Sequence, residues 1–213
     1  MKVAILQYNA GNTQSVIYAL QRLGVEPIVT DDKELLLSSD KIIIPGVGEA
    51  SSAMKYLKEK QLDKLIIEFK QPTLGICLGL QLLFEESEEF GANKGLGLVK
   101  GVVKKFPNHF GDNNNIKVPQ ICWNTIAKPD NVNADFWENM PLSDIPEHSF
   151  MYFVHSFFVA PTEKQDIATE TTYENIKYCS AIKKNNIFAT QFHPEKSAKL
   201  GLQLYKNWFE NIK

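Results

Sequence analysis

Residues 73–81 read TLGICLGLQ, an apolar run that enters a cysteine with one glycine two residues before it and another two residues after it. The run Thr73–Ile76 predicts a buried strand, and residues 78–88 predict a helix. Strand, sharp turn and helix with a reactive side chain at the bend form a nucleophile elbow, which needs small neighbours because larger side chains would collide. We therefore interpret Cys77 as a nucleophile. The alternative is a small buried core residue, which is the usual role of a free cysteine.

Two local groups are expected to support Cys77. The helix that begins beside it would favour the thiolate over the thiol through its dipole and free N–H groups. The N–H of Leu78 would point at a substrate oxyanion. The other cysteines lack this motif, since Cys122 is predicted to lie in a loop and Cys179 in a hairpin strand.

Short apolar runs alternate with amphipathic segments over the first two-thirds of the chain, as in parallel βαβ units. After Gly91 the pattern changes to strands, several of them antiparallel, with a turn at residues 184–186 and a closing helix at residues 197–212. The other predicted strands are Val3–Leu6, residues 27–30, Lys41–Ile44 and residues 100–106, 116–121, 151–159, 178–182 and 187–192, and the other predicted helices are residues 13–23, 50–60 and 62–70. The chain is predicted to have an α/β fold, a doubly wound and mostly parallel sheet with flanking helices, a flavodoxin-like core and an antiparallel extension, with residues 1–213 as one domain.

Charge and composition exclude several classes of function. A net charge of −2 argues against a nucleic-acid-binding protein, which usually carries a basic face. Arg22 is the single arginine, so any phosphorylated substrate is expected to bind elsewhere. The chain has no glycine-rich phosphate-binding motif and no cysteine spacing typical of zinc, so we expect neither a cofactor nor a metal.

Three widely spaced cysteines do not fit a disulfide framework, which favours a reduced, cytoplasmic setting. The N-terminal residues turn polar too early for a signal peptide. No apolar run approaches the length of a membrane span.

A catalytic cysteine needs a base, and His193 follows an apolar strand and precedes Pro194 and Glu195. In an extended backbone, residues i and i+2 project to the same side. Pro194 stiffens that geometry, so the Glu195 carboxylate would orient the imidazole while the other ring nitrogen faces Cys77. His-Pro-Glu alone is a weak signal that a surface turn also explains. The elbow far upstream strengthens it.

Pro45-Gly46-Val47-Gly48 follows the strand Lys41–Ile44, so in a doubly wound sheet it lies at the carboxyl end, where ligands bind. Flanking glycines would leave the Val47 and Gly48 amides able to turn toward a developing oxyanion. The competing interpretation is a plain strand-to-helix turn.

These motifs together resemble class I glutamine amidotransferases, and the resemblance extends over essentially the whole chain. The segments that carry it are residues 8–12 (YNAGN), 45–48 (PGVG), 75–81 (GICLGLQ), 117–119 (KVP), 123–124 (WN), 153–156 (FVHS) and 191–197 (QFHPEKS). Within the family, the chain is similar to glutaminase subunits that supply ammonia to a (β/α)8-barrel cyclase in histidine biosynthesis. The departures from the family pattern are Gln120, Cys122 and Phe157.

The resemblance implies roles for further residues. Gln81 and the backbone around His155 and Ser156 would hold glutamine, with the Val47 and Leu78 N–H groups as the oxyanion hole. The positions of Trp123, Asn124 and Lys196, with Asn12 close by, would face the cyclase. The simpler interpretations are that Trp123 belongs to the core and that His155 is a structural strand histidine.

The implied reaction is hydrolysis of glutamine by Cys77, His193 and Glu195 to glutamate and ammonia. The predicted heterodimer would use that ammonia to form imidazole glycerol phosphate and an aminoimidazole carboxamide ribotide. Glutaminase activity is expected to be low until the partner is loaded. Two alternatives stay open: a paralogous amidotransferase that supplies another acceptor such as a sugar, and a non-catalytic regulatory subunit.

Overall fold

The structure, a computed structural model, describes residues 1–8, 11–89, 91, 93–110 and 114–211. Asn9 and Ala10 of the segment that resembles the family, and Ile212 of the predicted closing helix, lie outside the described residues. The strands are β1 (Val3–Leu6), β2 (Ile28–Thr30), β3 (Lys41–Ile44), β4 (Thr73–Ile76), β5 (Phe84–Ser87), β6 (Asn93–Lys94), β7 (Val99–Lys105), β8 (His109–Phe110), β9 (Asn114–Asn115), β10 (Gln120–Thr125), β11 (Phe150–His155), β12 (Phe157–Pro161), β13 (Ile167–Tyr173), β14 (Ile176–Lys184) and β15 (Ile187–Thr190). The α-helices are α1 (Thr13–Gln21), α2 (Lys33–Leu37), α3 (Ala50–Glu59), α4 (Leu62–Ile67), α5 (Leu78–Gln81) and α6 (Ala198–Asn211).

Five parallel strands form the centre of the molecule, in the order β2-β1-β3-β4-β15. This is the strand order of flavodoxin-like sheets. The strands β1, β3 and β4 are buried along their whole length, because helices cover both faces of the sheet. The α/β fold class with a flavodoxin-like core is therefore confirmed.

Alternation along the strands divides the core into two layers. On one face, Ala4 and Ile42 pack with residues of α3 and α4, such as Leu57 and Leu65. On the other face, apolar strand residues pack with α1 and α6, which contribute Leu20 and Trp208 among others. Helices therefore flank the sheet on both sides, as the sequence predicted.

An antiparallel extension continues the sheet beyond β15. The strand β14 pairs antiparallel with β15 and β12, and β12 pairs antiparallel with β7. The edge is completed by β5 and β6, while β13 pairs with β14 off the main path. The strands β10 and β11 form a separate antiparallel pair, called the β10–β11 hairpin below.

The helix predicted at residues 78–88 is wrong. The structure has one helical turn, α5, followed by strand β5. Phe84 is fully buried and pairs with Val99 of β7, so packing and strand pairing override the local helix preference.

Two strand predictions need correction, and one strand was missed. The strand predicted at residues 116–121 is displaced to β10, which begins after Pro119, and Cys122 lies in β10 rather than in a loop. The strand predicted at residues 151–159 is divided at Ser156, because β11 pairs with β10 whereas β12 pairs with β7 and β14. The sequence analysis missed β13, whose threonine-rich residues lack a marked apolar alternation.

Within the described part of the chain, no helix combines the length and apolar character that a membrane span requires.

Candidate active site

Cys77 lies at the bend between β4 and α5, in a backbone conformation that L-residues rarely adopt (φ 51°, ψ −102°). Its N–H donates to the carbonyl oxygen of Thr190 at 2.7 Å, which anchors the bend to β15. A Cβ at Gly79 would lie 2.0 Å from the carbonyl oxygen of Ile44, and one at Gly75 would lie 2.9 Å from the Cβ of Ala189. Both glycines are therefore required for close packing around the bend, as the sequence predicted. The helix α5 has only four residues, so it is shorter than the helix expected at residues 78–88.

The imidazole of His193 is held by Glu195. The distance from His193 Nδ1 to Glu195 Oε1 is 2.7 Å, and each side chain is only 1% exposed. The backbone is extended at His193 and then enters a 3₁₀ helix, Pro194–Lys196. The pair therefore meets across the start of a helical turn, which corrects the expectation of extended backbone throughout.

Asn12 contributes a second donor to the same carboxylate oxygen. Its Nδ2 lies 2.7 Å from Glu195 Oε1. The sequence analysis placed Asn12 near a partner surface and did not connect it with the Cys77–His193–Glu195 group. Only the fold brings the two residues, 183 positions apart, into contact.

The second ring nitrogen, Nε2 of His193, is buried and has no hydrogen-bond partner of ordinary geometry among the described residues. Burial alone would lower the pKa of His193, but the nearby Cys77 sulfur and the Glu195 carboxylate raise it to about 10. The imidazole beside the Cys77 sulfur is therefore charged at neutral pH. A cysteine and an imidazolium within reach of each other are the nucleophile and acid of an acyl-transfer site.

Two further groups contact the sulfur. Cys77 Sγ lies 3.9 Å from the carbonyl oxygen of Val154 and 3.5 Å from Nε2 of Gln191. Gln191 is fully buried immediately after β15. The sequence analysis treated it as part of a matching segment and gave it no role, because an amide beside a strand end carries no signal of its own.

A cavity of about 300 Å³ opens beside Cys77, within the size range of small-molecule sites. The predicted oxyanion and glutamine residues all line it, namely Val47, Gly48, Leu78, Gln81, His155 and Ser156. Its other lining residues are Cys77, Glu89, Pro119, Val154 and Phe157.

The peptide groups predicted to form the oxyanion hole are engaged in hydrogen bonds. The Leu78 N–H donates to the carbonyl oxygen of Gly46 at 3.3 Å, and the Gly11 N–H donates to the carbonyl oxygen of Val47 at 3.2 Å. In a trans peptide the C=O and N–H point in opposite directions. Because the Gly46 carbonyl points at Leu78, the Val47 N–H points away from it.

Glu89 supplies a carboxylate to the cavity. Its Oε2 accepts from the Ala50 N–H at 2.5 Å, at the start of α3. Burial raises the pKa of Glu89, although this hydrogen bond opposes the shift. In the sequence Glu89 ends an acidic run, residues 85–89 (EESEE), and nothing in that run marked it as a site residue.

The side chain of His155 is used for structure. Its Nδ1 lies 2.7 Å from the carbonyl oxygen of Phe157, and its Nε2 lies 3.3 Å from the Tyr178 hydroxyl. Burial lowers the pKa of His155 to about 3. The hydrogen bond to the Phe157 carbonyl opposes this shift, and the nearby His193 adds to it. His155 is therefore neutral near pH 7. Tyr178 also donates to Gln120, which connects this group to β10.

Two of the residues predicted to face a partner lie around Tyr152 on the outside of the β10–β11 hairpin. Trp123 is 48% exposed and meets the Tyr152 ring edge-on at 5.9 Å. Lys196 places its ammonium 5.8 Å from the centre of the same ring. Asn124 differs, because its amide donates to the carbonyl oxygen of Thr172. Trp123 is not a core residue, so that simpler interpretation is wrong.

Within the described residues, no three His, Cys, Asp or Glu side chains are grouped so that they could hold a metal ion.

The chain is similar to known proteins over nearly its whole length. The model of the family described as glutamine amidotransferase class-I matches residues 4–212. The imidazole glycerol phosphate synthase subunit HisH of Bacteroides thetaiotaomicron is 46% identical over 211 residues, covering 99% of this chain and 100% of the relative. The protein of the same name from Chlorobaculum tepidum is 43% identical and covers 98% and 99%, respectively.

Solved structures show the same fold at low sequence identity. A crystal structure of a glutamine amidotransferase has a TM-score of 0.72 at 18% identity and covers 100% of this chain and 99% of that one. A glutamine amidotransferase from Thermotoga maritima has a TM-score of 0.60 at 18% identity, with 99% and 81% covered.

Proposed function

The chain belongs to the class I glutamine amidotransferase family, and on that basis we propose that it is the glutaminase subunit of an imidazole glycerol phosphate synthase. Relatives that carry this name match it from end to end. The observation that carries the chemistry is the Cys77 sulfur at a cavity wall beside a buried His193 that Glu195 orients at 2.7 Å. Residues 1–213 act as one amidotransferase domain, and a reducing cytoplasm keeps the Cys77 thiol available.

The Cys77 thiolate attacks the carboxamide carbon of glutamine, and the C–N bond breaks as His193 protonates the departing ammonia. This leaves a glutamyl thioester and a neutral imidazole. Neutral His193 then takes a proton from water, which attacks the thioester and releases glutamate and the thiolate. Glu195 holds the imidazole in the tautomer that both steps need.

The cavity offers acceptors for the ammonium group of glutamine. Nε2 of Gln81 donates to Phe157 and Gln191, which leaves Oε1 as the acceptor of this amide. The Glu89 carboxylate lines the same cavity. Together they form the ammonium subsite, and the backbone at His155 and Ser156 meets the rest of the amino-acid group.

The oxyanion hole forms when the peptide between Gly46 and Val47 rotates. In the resting arrangement the Gly46 carbonyl occupies the Leu78 N–H. Rotation removes that carbonyl and turns the Val47 N–H inward, so that Val47 and Leu78 both donate to the oxyanion, with Gly48 giving the turn its freedom (φ 126°).

The partner is a (β/α)8-barrel cyclase that docks on the outside of the β10–β11 hairpin and receives ammonia. Trp123 supplies an exposed aromatic anchor and Lys196 a charge beside it, and Asn12 and Asn124 lie nearby. The phosphorylated acceptor binds to the cyclase, because this chain has a single arginine.

Glutamate release by the chain alone, with cyclase, and with cyclase plus its phosphorylated ligand tests this function. We expect the rate to rise at least about fivefold when the loaded cyclase is present, a typical size for coupling between sites. A diazo-ketone norleucine should label Cys77, and Cys77→Ala should abolish both labelling and hydrolysis. Equal rates in all three mixtures would remove the gating by the oxyanion strand, and absence of any hydrolysis would remove the proposed function.

A further inference from the structure

Gln191 is a buried amide between the nucleophile and the substrate cavity. Its Nε2 lies 3.5 Å from Cys77 Sγ, and its Oε1 lies 3.1 Å from Nε2 of Gln81. Its backbone N–H donates to the carbonyl oxygen of Ser180 at 2.8 Å, which fixes the residue beside β14. No step of the reaction given above uses this side chain.

The neighbouring groups determine which end of the amide faces the sulfur. Gln81 Nε2 lies 3.1 Å from the carbonyl oxygen of Phe157, which can only accept a hydrogen bond. Gln81 therefore presents its NH₂ group, whose second proton goes to Gln191. The atom of Gln191 that receives it must be Oε1, and its NH₂ group must face Cys77. The chain of donors thus runs in one direction, from Gln81 through Gln191 to the sulfur.

An amide NH₂ group cannot accept a hydrogen bond, so Gln191 can only donate to Cys77. A donor favours the charged form of its acceptor, and this one is buried, where such a bond is least weakened by water. The four-residue helix α5 has only a small dipole, so a side-chain donor at the sulfur can matter more here than at the start of a long helix.

We propose that Gln191 is a catalytic residue that donates a hydrogen bond to the Cys77 sulfur, holds it toward the cavity and favours its thiolate form. This role rests on the proposed glutaminase function and adds to it. The donor acts twice in the cycle, since the sulfur is anionic before attack and again when it leaves the thioester. Gln81, which lines the cavity, fixes the orientation of this donor.

The rate of alkylation of Cys77 by iodoacetamide, measured against pH on the full chain, tests the proposal. The sulfur displaces iodide only as the thiolate, so the midpoint of the profile reports the population of that form. Gln191→Glu retains an oxygen for Gln81 but replaces the donor at the sulfur with an acceptor, and Gln191→Met removes the donor with little change in length. We expect the midpoint to move up by at least about one pH unit in both variants, with about tenfold slower alkylation below it. Peptide mass spectrometry separates Cys77 from the half-exposed Cys122.

Gln61→Glu is the matched control, because it adds the same charge at an exposed position just beyond the C-terminal end of α3, about 15 Å from the start of that helix. Its profile should equal that of the unaltered chain, and thermal unfolding should show that all variants are folded. An unchanged midpoint in folded Gln191→Glu and Gln191→Met would overturn the role of Gln191 and leave the glutaminase function intact. Shifted midpoints in both variants, together with an unaltered chain that hydrolyses no glutamine with loaded cyclase, would support the role of Gln191 and remove the glutaminase function.

Discussion

At the scale of single residues, one oxygen of Glu195 controls the state of the imidazole. Oε1 accepts a hydrogen bond from His193 Nδ1, and the carboxylate helps to raise the pKa of His193 to about 10. In the proposed reaction His193 is the acid that protonates the departing amide nitrogen, so the protonated form must persist over the working range. Activity is therefore expected to fall as pH rises through about 10, where the imidazolium loses its proton.

Replacement Glu195→Gln removes the charge and retains the shape. We expect kcat to fall on the order of 10²- to 10⁴-fold, because the imidazole loses both its orientation and the charge that stabilises its protonated form. The alkaline limb of the pH–rate profile should also move to lower pH, since the pKa of His193 falls. An alkaline limb that stays in place would contradict the electrostatic role of Glu195.

Asn12 gives a third prediction at this scale. It occupies the left-handed region (φ 67°), so Asn12→Gly removes the amide that donates to Glu195 without straining the backbone. A hydrogen bond to a buried charge contributes about 1.5–3 kcal/mol, so the kcat of glutamine hydrolysis should fall about 10- to 100-fold. The loss should appear with and without cyclase, whereas a residue that acts only at the partner surface would affect the complex alone.

The matched control is Asn139→Gly, which changes the same residue type in the same backbone region (φ 63°) in the irregular segment between β10 and β11. Its activity should equal that of the unaltered chain.

The sequence analysis identified the catalytic candidates whose residue type and motif indicate a reactive role. Cys77, His193 and Glu195 stand in short motifs, and the structure places Cys77 at the cavity wall with the buried His193–Glu195 pair beside it. Gln191 and Glu89 could not be found in this way, because a glutamine or glutamate gains its role from the atoms that the fold places around it.

At the scale of elements, the bend at Cys77 depends on close approach between α5 and β3. Gly79→Ala would place a Cβ 2.0 Å from the carbonyl oxygen of Ile44, which is backbone and cannot move aside. We expect a loss of at least about 3 kcal/mol in the free energy of unfolding, measured by denaturant titration, and loss of glutaminase activity.

Gly24→Ala is the control for this prediction. It lies at φ 74° with no atom beyond its two chain neighbours within 4 Å of the added Cβ, so it tests backbone strain without crowding and should cost about 1 kcal/mol. Similar losses in the two variants would show that crowding at Gly79 is unimportant.

The buried strands of the parallel sheet were predicted well from their local sequence. Elements that depend on pairing with a distant strand were not. The strands β1, β3 and β4 are short, fully buried and mostly apolar runs, and their predicted bounds are correct. Residues 82–87 contain leucine, phenylalanine and glutamate, which suit a helix, yet β5 forms because β7 offers a partner. The break at Ser156 likewise follows from two different partner strands, which no local window of sequence contains.

At the scale of the whole molecule, the parallel half follows from the alternation of strands and helices, which leaves few possible strand orders. The antiparallel half depends on contacts between distant segments, so its order could not be predicted. The β10–β11 hairpin connects the cavity with the outer surface, because Val154 and His155 line the cavity whereas Trp123 is exposed on the outside.

Docking of the cyclase should therefore depend on the outer surface of this hairpin. We expect Trp123→Ala to weaken binding at least about tenfold in Kd, measured by titration calorimetry, because a central aromatic anchor carries much of the energy of an interface. Ile67→Ala is the control: this residue is 49% exposed at the end of α4 and should leave Kd unchanged. Equal affinity of the Trp123→Ala chain would place the docking surface elsewhere.

The backbone angles of Cys77 also limit how this protein can change over generations. A β-branched side chain fits poorly at φ 51°, so threonine is closed to this position even though its hydroxyl can serve as a nucleophile elsewhere. Serine is the single hydroxyl residue that keeps the shape of the bend, and it would exchange a readily ionised thiol for an alcohol that ionises far less easily. A lineage that loses this cysteine therefore has no neighbouring route to an equivalent enzyme, and it retains at most a protein that binds its partner.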